Sequence, residues 1–291
     1  MSFGYRESSD QTMSFMKPYI SLIGDLTADS YVNSRTVKLG GAALNSAMWS
    51  KRNGARVSVV SAVGNDAAGN KFIKKFRAEK LSCDGIQQKR GSTSGIEIFI
   101  SESGERRYGS WNPGVLTTYH LRQQDYRILQ KSDAVVITVY PPYLHILDEC
   151  MKLKRDTLMK HRPLFVINYG DLNEFNHSFD VPKQFLDLAD ILIFGLDKDR
   201  DEDLINEVRQ CALVEKKFAL VTLGKYGSIA WDGKTAYVQS AQEVTVRDTT
   251  GAGDSFLAGF LITFLKTRNI QQSLQQGTDL ASRAIQKLGA Y

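Results

Sequence analysis

The sequence predicts an α/β protein with a mainly parallel central sheet, helices on both of its faces, and a small second β-sheet over one end. Three observations carry that expectation. Short runs rich in Val and Ile recur, as in "DAVVITVY" (133–140), "PLFVINY" (163–169), "DILIFG" (190–195) and "FALVTLG" (218–224). Unbroken apolar runs of this length suit strands buried on both faces. The chain also opens in the order strand, helix, strand, helix, which favours parallel strands joined by crossover helices. Two stretches, 30–39 and 95–110, break the rhythm, and the second alternates around Ser103-Gly104 as a hairpin does. These two insertions are expected to form the small sheet, placed as a lid.

The elements follow in order. Residues 19–24, "YISLIG", read as a buried strand ended by glycine, and 42–54 as a helix closed by Asn53-Gly54. Residues 55–64, "ARVSVVSAVG", form the next strand, and 67–81 the next helix. Late in the chain, Phe256, Leu257, Phe260, Leu261, Phe264 and Leu265 recur at helical spacing, which predicts a largely buried helix. Residues 270–289 supply a last helix or helix pair. No Pro/Gly/Ser-rich linker divides the chain and no repeat is visible, so 18–291 is expected to be one domain, with 1–17 a loose polar extension.

Composition excludes several classes. The chain has 42% hydrophobic and 24% charged residues, as ordinary soluble domains do. Its net charge of +5 is spread rather than gathered into a tract, so nucleic-acid binding is not implied. Cys83, Cys150 and Cys211 are far apart, with no metal-ligand spacing, and read as free thiols of a reducing compartment. No segment approaches the ~20 apolar residues of a membrane span; a cytoplasmic protein with no membrane partner is expected. His120, His145, His161 and His177 show no ligand spacing, which sets aside a metal hydrolase.

The chemistry concentrates in "RDTTGAGDSF" (247–256). Gly251 and Gly253 fall where the buried helix begins, and the first amides of a helix have no partners within it. Such amides can point at an anion, glycine lets a phosphate come close, and the helix dipole adds positive potential. Asp254 follows in the first turn, where the same potential favours its ionised form. With a reference pKa of ~3.9 it is a weak base toward an alcohol, yet phosphoryl transfer asks mainly for positioning and charge stabilisation. The alternative is simple helix capping. Upstream, "VTLGKYGSIAW" (221–231) reads either as a bed for a nucleotide or as a plain hairpin.

These segments resemble the ribokinase-like (PfkB) carbohydrate kinases over 19–291. "DTTGAGDSFLAGF" is similar to that family's C-terminal signature, and "LGGAALNSAMWSKRNGARVSVVSAVGNDAAG" to its N-terminal one. The resemblance implies a ribokinase-like three-layer sandwich. It further implies that Gly251, Ala252 and Gly253 form an anion hole, with Asp254 as general base. Thr222, Gly224 and Gly227 then lie along ATP, with Mg²⁺ bridging its phosphates. It places Asp29, Gly40, Gly41 and Asn45 on the sugar. Within the family, "GSIAWDG", "ERRYGSWNPGVL" and the glutamine-rich ending look most similar to fructoselysine 6-kinases, which phosphorylate the primary hydroxyl of a sugar carried on an amino acid. On that match Arg106 and the 111–114 turn approach the substrate; otherwise Arg106 is a solvated hairpin residue.

Two departures stand out. Gly195-Leu196-Asp197-Lys198 replaces the family's Asn-x-x-Glu associated with magnesium, so metal ligands are left unassigned; Asp197 or Asp199 reads either as a substitute ligand or as the cap that acids at a strand-to-helix junction commonly are. "VINYGDLNEF" lacks the Asp-x-Asn-x-Arg of several sugar kinases. Three readings remain: a kinase of a fructosamine, a kinase of a plain sugar, sugar acid or nucleoside, and a silent sugar- or nucleotide-binding protein. The lid resembles one through which relatives pair, implying a homodimer.

Overall fold

The computed structural model describes residues 16–33, 36–100, 106–156 and 161–291, with backbone alone at 100 and 106–108. The main sheet has nine strands in the order β13-β12-β11-β10-β9-β8-β1-β4-β5. Its centre is β1 (Tyr19–Ile23), β4 (Arg56–Gly64), β8 (Ala134–Thr138), β9 (Leu164–Asn168), β10 (Ile191–Gly195) and β11 (Phe218–Thr222), all paired in parallel. The apolar runs are strands because both of their faces are covered. In β8, Ala134 and Val136 join the core under α1 (Ala42–Arg52), α2 (Ala67–Ala78), α7 (Ala252–Thr267) and α8 (Ile270–Ile285). Val135 and Ile137 of the same strand join the opposite core, under α3 (Gln123–Leu129), α4 (His145–Arg155) and α6 (Glu202–Val214). The result is the expected three-layer α/β/α arrangement.

Three strands were not foreseen as such. β5 (Ile86–Lys89), "IQQK", has one buried residue and no apolar run to mark it. β12 (Ser228–Trp231) extends the sheet antiparallel to β11, and β13 (Ala236–Gln239) pairs antiparallel with β12 in turn, so "VTLGKYGSIAW" is a hairpin in its local geometry. The last stretch is one helix, α8, ended at Ile285, rather than a pair. Among the described residues no helix is long and apolar enough to cross a membrane.

A second sheet runs β3-β2-β6-β7. It is built from β2 (Thr27–Tyr31), β3 (Thr36–Gly40), β6 (Ser94–Ile100) and β7 (Arg106–Asn112), so its first hairpin begins three residues before the expected insertion. β2 pairs parallel with β6, whereas the two hairpins are antiparallel. The turn at Ser103-Gly104 and residues 1–15 lie outside the described residues.

α7 is seated by a row of rings and by two glycines. Phe256, Phe260 and Phe264 stack in succession at 6.4 and 5.7 Å, and Phe218 of β11 packs on the last two. On the other side α8 comes very close: a Cβ on Gly259 would meet the Gln276 carbonyl at 2.5 Å, and one on Gly277 the Phe256 ring at 3.0 Å. The core therefore fixes where α7 begins. Phe260, fully buried, is the central ring, and Phe260→Ala is expected to cost about 3–5 kcal/mol, read as a lowered denaturation midpoint with an unchanged m-value in urea.

Candidate active site

Because β1, β8, β10 and β11 are parallel, the segments leaving their carboxyl ends gather along one edge of the sheet, where open α/β sheets bind ligands. Gly251 makes the turn onto α7. Its φ of +77° lies in the left-handed region, and a Cβ there would meet the Ala290 carbonyl at 2.4 Å. The same carbonyl accepts from Trp49 Nε1 at 2.8 Å. The turn is also held by Asp248, whose carboxylate accepts from the amides of Thr250 and Gly289 at 2.9 and 2.8 Å. Inside the turn, the Ala252 amide donates to Thr249 and that of Ser255 to Gly251. The amides of Gly251, Gly253 and Asp254 have no such acceptor among the described residues, whereas that of Ala252 is engaged, so these three are the donors the helix start offers to an anion. A Cβ on Gly253 would meet nothing within 4 Å, so the protein leaves that approach open.

Asp254 lies one residue further on and ties α7 to α1. Its Oδ2 accepts from Asn45 Nδ2 at 3.0 Å, and its Oδ1 from Ser46 Oγ at 2.8 Å. Burial outweighs these two bonds and pushes its pKa up to about 6, with the nearby Asp25 carboxylate adding to the rise. The reference value expected from sequence therefore does not hold: Asp254 is still mostly ionised at neutral pH, but far better matched to accepting a proton.

Asp25 was overlooked beside Asp29 in "IGDLTADSY". It is buried, accepts from Thr27 Oγ1 at 2.7 Å and from the Ala42 amide at 3.1 Å, and burial raises its pKa. It also explains Gly41, whose φ is +96° and whose Cβ would fall 2.5 Å from the Asp25 carbonyl. Asp29 in turn explains Gly40, where a Cβ would be 2.3 Å from Asp29 Oδ2. Ser46 and Tyr140 are further omissions. Tyr140 feels Asp25 most strongly and Asp254 as well, which with burial holds its hydroxyl protonated far above the ordinary tyrosine range. Its ring is 5.4 Å from that of Trp111, on β7. Only proximity in the fold joins these residues, since no sequence spacing relates them. Asn45 Oδ1 is buried without a partner among the described residues.

The predicted nucleotide residues form a separate group. Thr222 ends β11, with Oγ1 donating to the Phe194 carbonyl at 3.4 Å. Gly224 (φ +54°) opens the turn and faces free space, whereas Gly227 (φ +94°) is required by the hairpin itself, because a Cβ would lie 2.0 Å from the Gln239 carbonyl. The Leu196 amide donates to the Thr222 carbonyl, so 195–198 runs beside this group. Asp197 accepts from the amides of Asp199 and Arg200, both at 3.0 Å, which hold its carboxyl below the usual range, and Asp199 accepts from Tyr226 Oη at 3.0 Å. Asp197 thus makes the local amide contacts of a capping residue, whereas Asp199 is held by a side chain from the neighbouring turn, and among the described residues the two are not part of a preassembled metal-ligand cluster. Arg106 begins β7, and its side chain lies outside the described residues.

A carboxylate of raised pKa at the amino end of a glycine-opened helix, on the carboxyl edge of a parallel sheet, is an arrangement that suits phosphoryl transfer. Residues 19–291 match the pfkB family carbohydrate kinase model, and the chain belongs to that family. It is a carbohydrate kinase. The fructoselysine 6-kinase of Escherichia coli (strain K12) is 30% identical over 94% of this chain and 99% of its own length. The fructosamine kinase of Bacillus subtilis (strain 168) is 27% identical over 92% and 91%. Among solved structures, ribokinase from Thermotoga maritima superposes with a TM-score of 0.73 at 19% identity, covering 94% of each chain. A Pyrococcus horikoshii sugar kinase in complex with ATP gives 0.74 at 21% identity, covering 93% of each.

The two glycines of the turn are expected to separate on substitution. Gly251→Ala should destabilise the fold by at least about 1–2 kcal/mol, from its left-handed φ alone. Gly253→Ala should keep wild-type thermal stability yet lower kcat at least about tenfold, by placing a methyl where a phosphate approaches. Thermal melts paired with steady-state kinetics on both variants check this.

Proposed function

We propose that the protein transfers the γ-phosphate of ATP to the 6-hydroxyl of a fructosamine such as fructoselysine. The observation that carries the catalytic part is the Asp254 carboxyl, raised to about 6 and held by Asn45 and Ser46 at the start of α7. Asp254 accepts the hydroxyl proton as the new O–P bond forms, and the bond from the γ-phosphorus to the β-phosphate oxygen breaks to release ADP. The amides of Gly251, Gly253 and Asp254 face the charge that builds on the transferring group, with the positive end of α7 behind them. Asp29 and the unpartnered Asn45 Oδ1 accept from sugar hydroxyls, and Gly40 and Gly41 keep the backbone close beneath them. Thr222, Gly224 and Gly227 border the nucleotide. Magnesium arriving with ATP neutralises polyphosphate charge; the engaged Asp197 and Asp199 are assigned no part in holding it. The small sheet acts as the lid and as the face of a homodimer.

The fructosamine substrate has two supports. One is the similarity to the two fructosamine-directed kinases above. The other is the Trp111–Tyr140 ring pair next to Asp25, since aromatic faces and a carboxylate suit the alkyl and ammonium parts of a glycated amine. Purified protein assayed for ADP release with fructoselysine, fructose and ribose should give its highest kcat/KM on fructoselysine, with turnover abolished in Asp254→Asn. Trp111→Ala should depress fructoselysine turnover at least about tenfold more than fructose turnover. Equal kcat/KM for fructose and fructoselysine would reassign the substrate to a plain sugar.

A further inference from the structure

The kinase site makes no use of His120, His145 or Glu149, which the fold brings together although the spacing of the histidines had set a metal role aside. One ligand atom from each lies within 4.8 Å of the others. His145 is the first residue of α4 and Glu149 lies one turn on, on the same face. His120 comes from the segment that follows the 3₁₀ turn Gly114–Thr118. Its Nδ1 is 2.6 Å from Glu149 Oε1, and the two imidazole rings are 4.7 Å apart.

Backbone groups flanking His120 orient the other two side chains. His145 Nε2 is 2.6 Å from the Tyr119 carbonyl. A carbonyl has no proton to give, so Nε2 is the donor, and in the neutral ring this leaves the Nδ1 lone pair for a cation. Glu149 Oε2 accepts from the Leu121 amide at 2.7 Å, which fixes the carboxylate with Oε1 toward His120. A histidine donating its second nitrogen to a carbonyl, and a carboxylate held by an amide, is the outer arrangement that metal ligands carry.

We propose that His120, His145 and Glu149 form a binding site for one divalent transition-metal cation of the Zn²⁺ class. Two imidazoles and one carboxylate suit Zn²⁺, Co²⁺ or Ni²⁺ and do not suit Mg²⁺, which prefers oxygen ligands. The site is therefore chemically distinct from any magnesium that travels with ATP. His120 is 67% exposed, which gives a cation a path in and leaves room for a water as fourth ligand. The bound ion ties the chain leaving the small sheet to the start of α4, directly after the turn that carries Tyr143 and next to Tyr140 of the kinase site.

Calorimetric titration of Zn²⁺ into the full chain, first stripped with a chelator, tests this. One Zn²⁺ per chain is expected, weakened at least about tenfold in His120→Ala and in Glu149→Gln and unchanged in His161→Ala and Cys83→Ser. Co²⁺ in place of Zn²⁺ should give visible ligand-field absorption that His120→Ala removes. Thermal melts of the metal-free variants separate lost binding from lost folding, and exposed His120 is the variant least able to disturb the fold. No saturable binding, or wild-type affinity in both His120→Ala and His145→Ala, overturns the proposal. Kinase assays with Mg²⁺ and ATP on the metal-free protein should stay at wild-type rates, so this outcome is independent of the substrate reading.

Discussion

Asp254 accepts hydrogen bonds from consecutive side chains of α1, Asn45 and Ser46, and the rest of the site depends on that one junction. It joins the helix that follows the small sheet to the helix that follows the glycine turn, so the groups expected to hold a sugar and the group expected to take its proton share one anchor. The electrostatic consequence follows from the burial that packing imposes. A half-buried carboxylate with Asp25 close by is held by only two neutral donors, and the partial loss of solvation raises its proton affinity into the useful range.

Close backbone approach then sets the geometry around the junction. Gly251 lies against Ala290, Gly41 against Asp25, Gly40 against Asp29, and Gly259 and Gly277 let α7 and α8 meet. Each of these glycines is explained by protein atoms. Gly253 is not: a Cβ there would meet nothing within 4 Å, which leaves room in front of the helix start. The capping reading and the anion reading of the glycine turn thus describe one structure, because the amides unpaired at a helix start are the ones able to face a phosphate.

Much of this was legible in the sequence. The strands β8 to β11 were visible as apolar runs because they are buried on both faces, and α7 because its aromatic residues recur at helical spacing. Asp254 and its glycines were visible because local backbone chemistry confines them to one short stretch. β5 escaped notice because a four-residue edge strand with one buried side chain leaves no pattern. Asp25, Ser46 and Tyr140 escaped because their roles come from what lies across the cleft. The raised pKa of Asp254 is a property of burial, which sequence does not display. The His120, His145 and Glu149 cluster is assembled by two elements remote in the chain, so spacing rules pass over it.

The central claim is that burial makes Asp254 the proton acceptor, and its most direct test is the pH dependence of kcat/KM for phosphoryl transfer. The acceptor must be ionised, so the rate should fall as pH drops through an apparent pKa of about 6. Ser46 donates to the charged form, so Ser46→Ala should move that limb to higher pH. A profile that stays flat from well above to well below that value, or a limb that does not move in Ser46→Ala, would contradict the account.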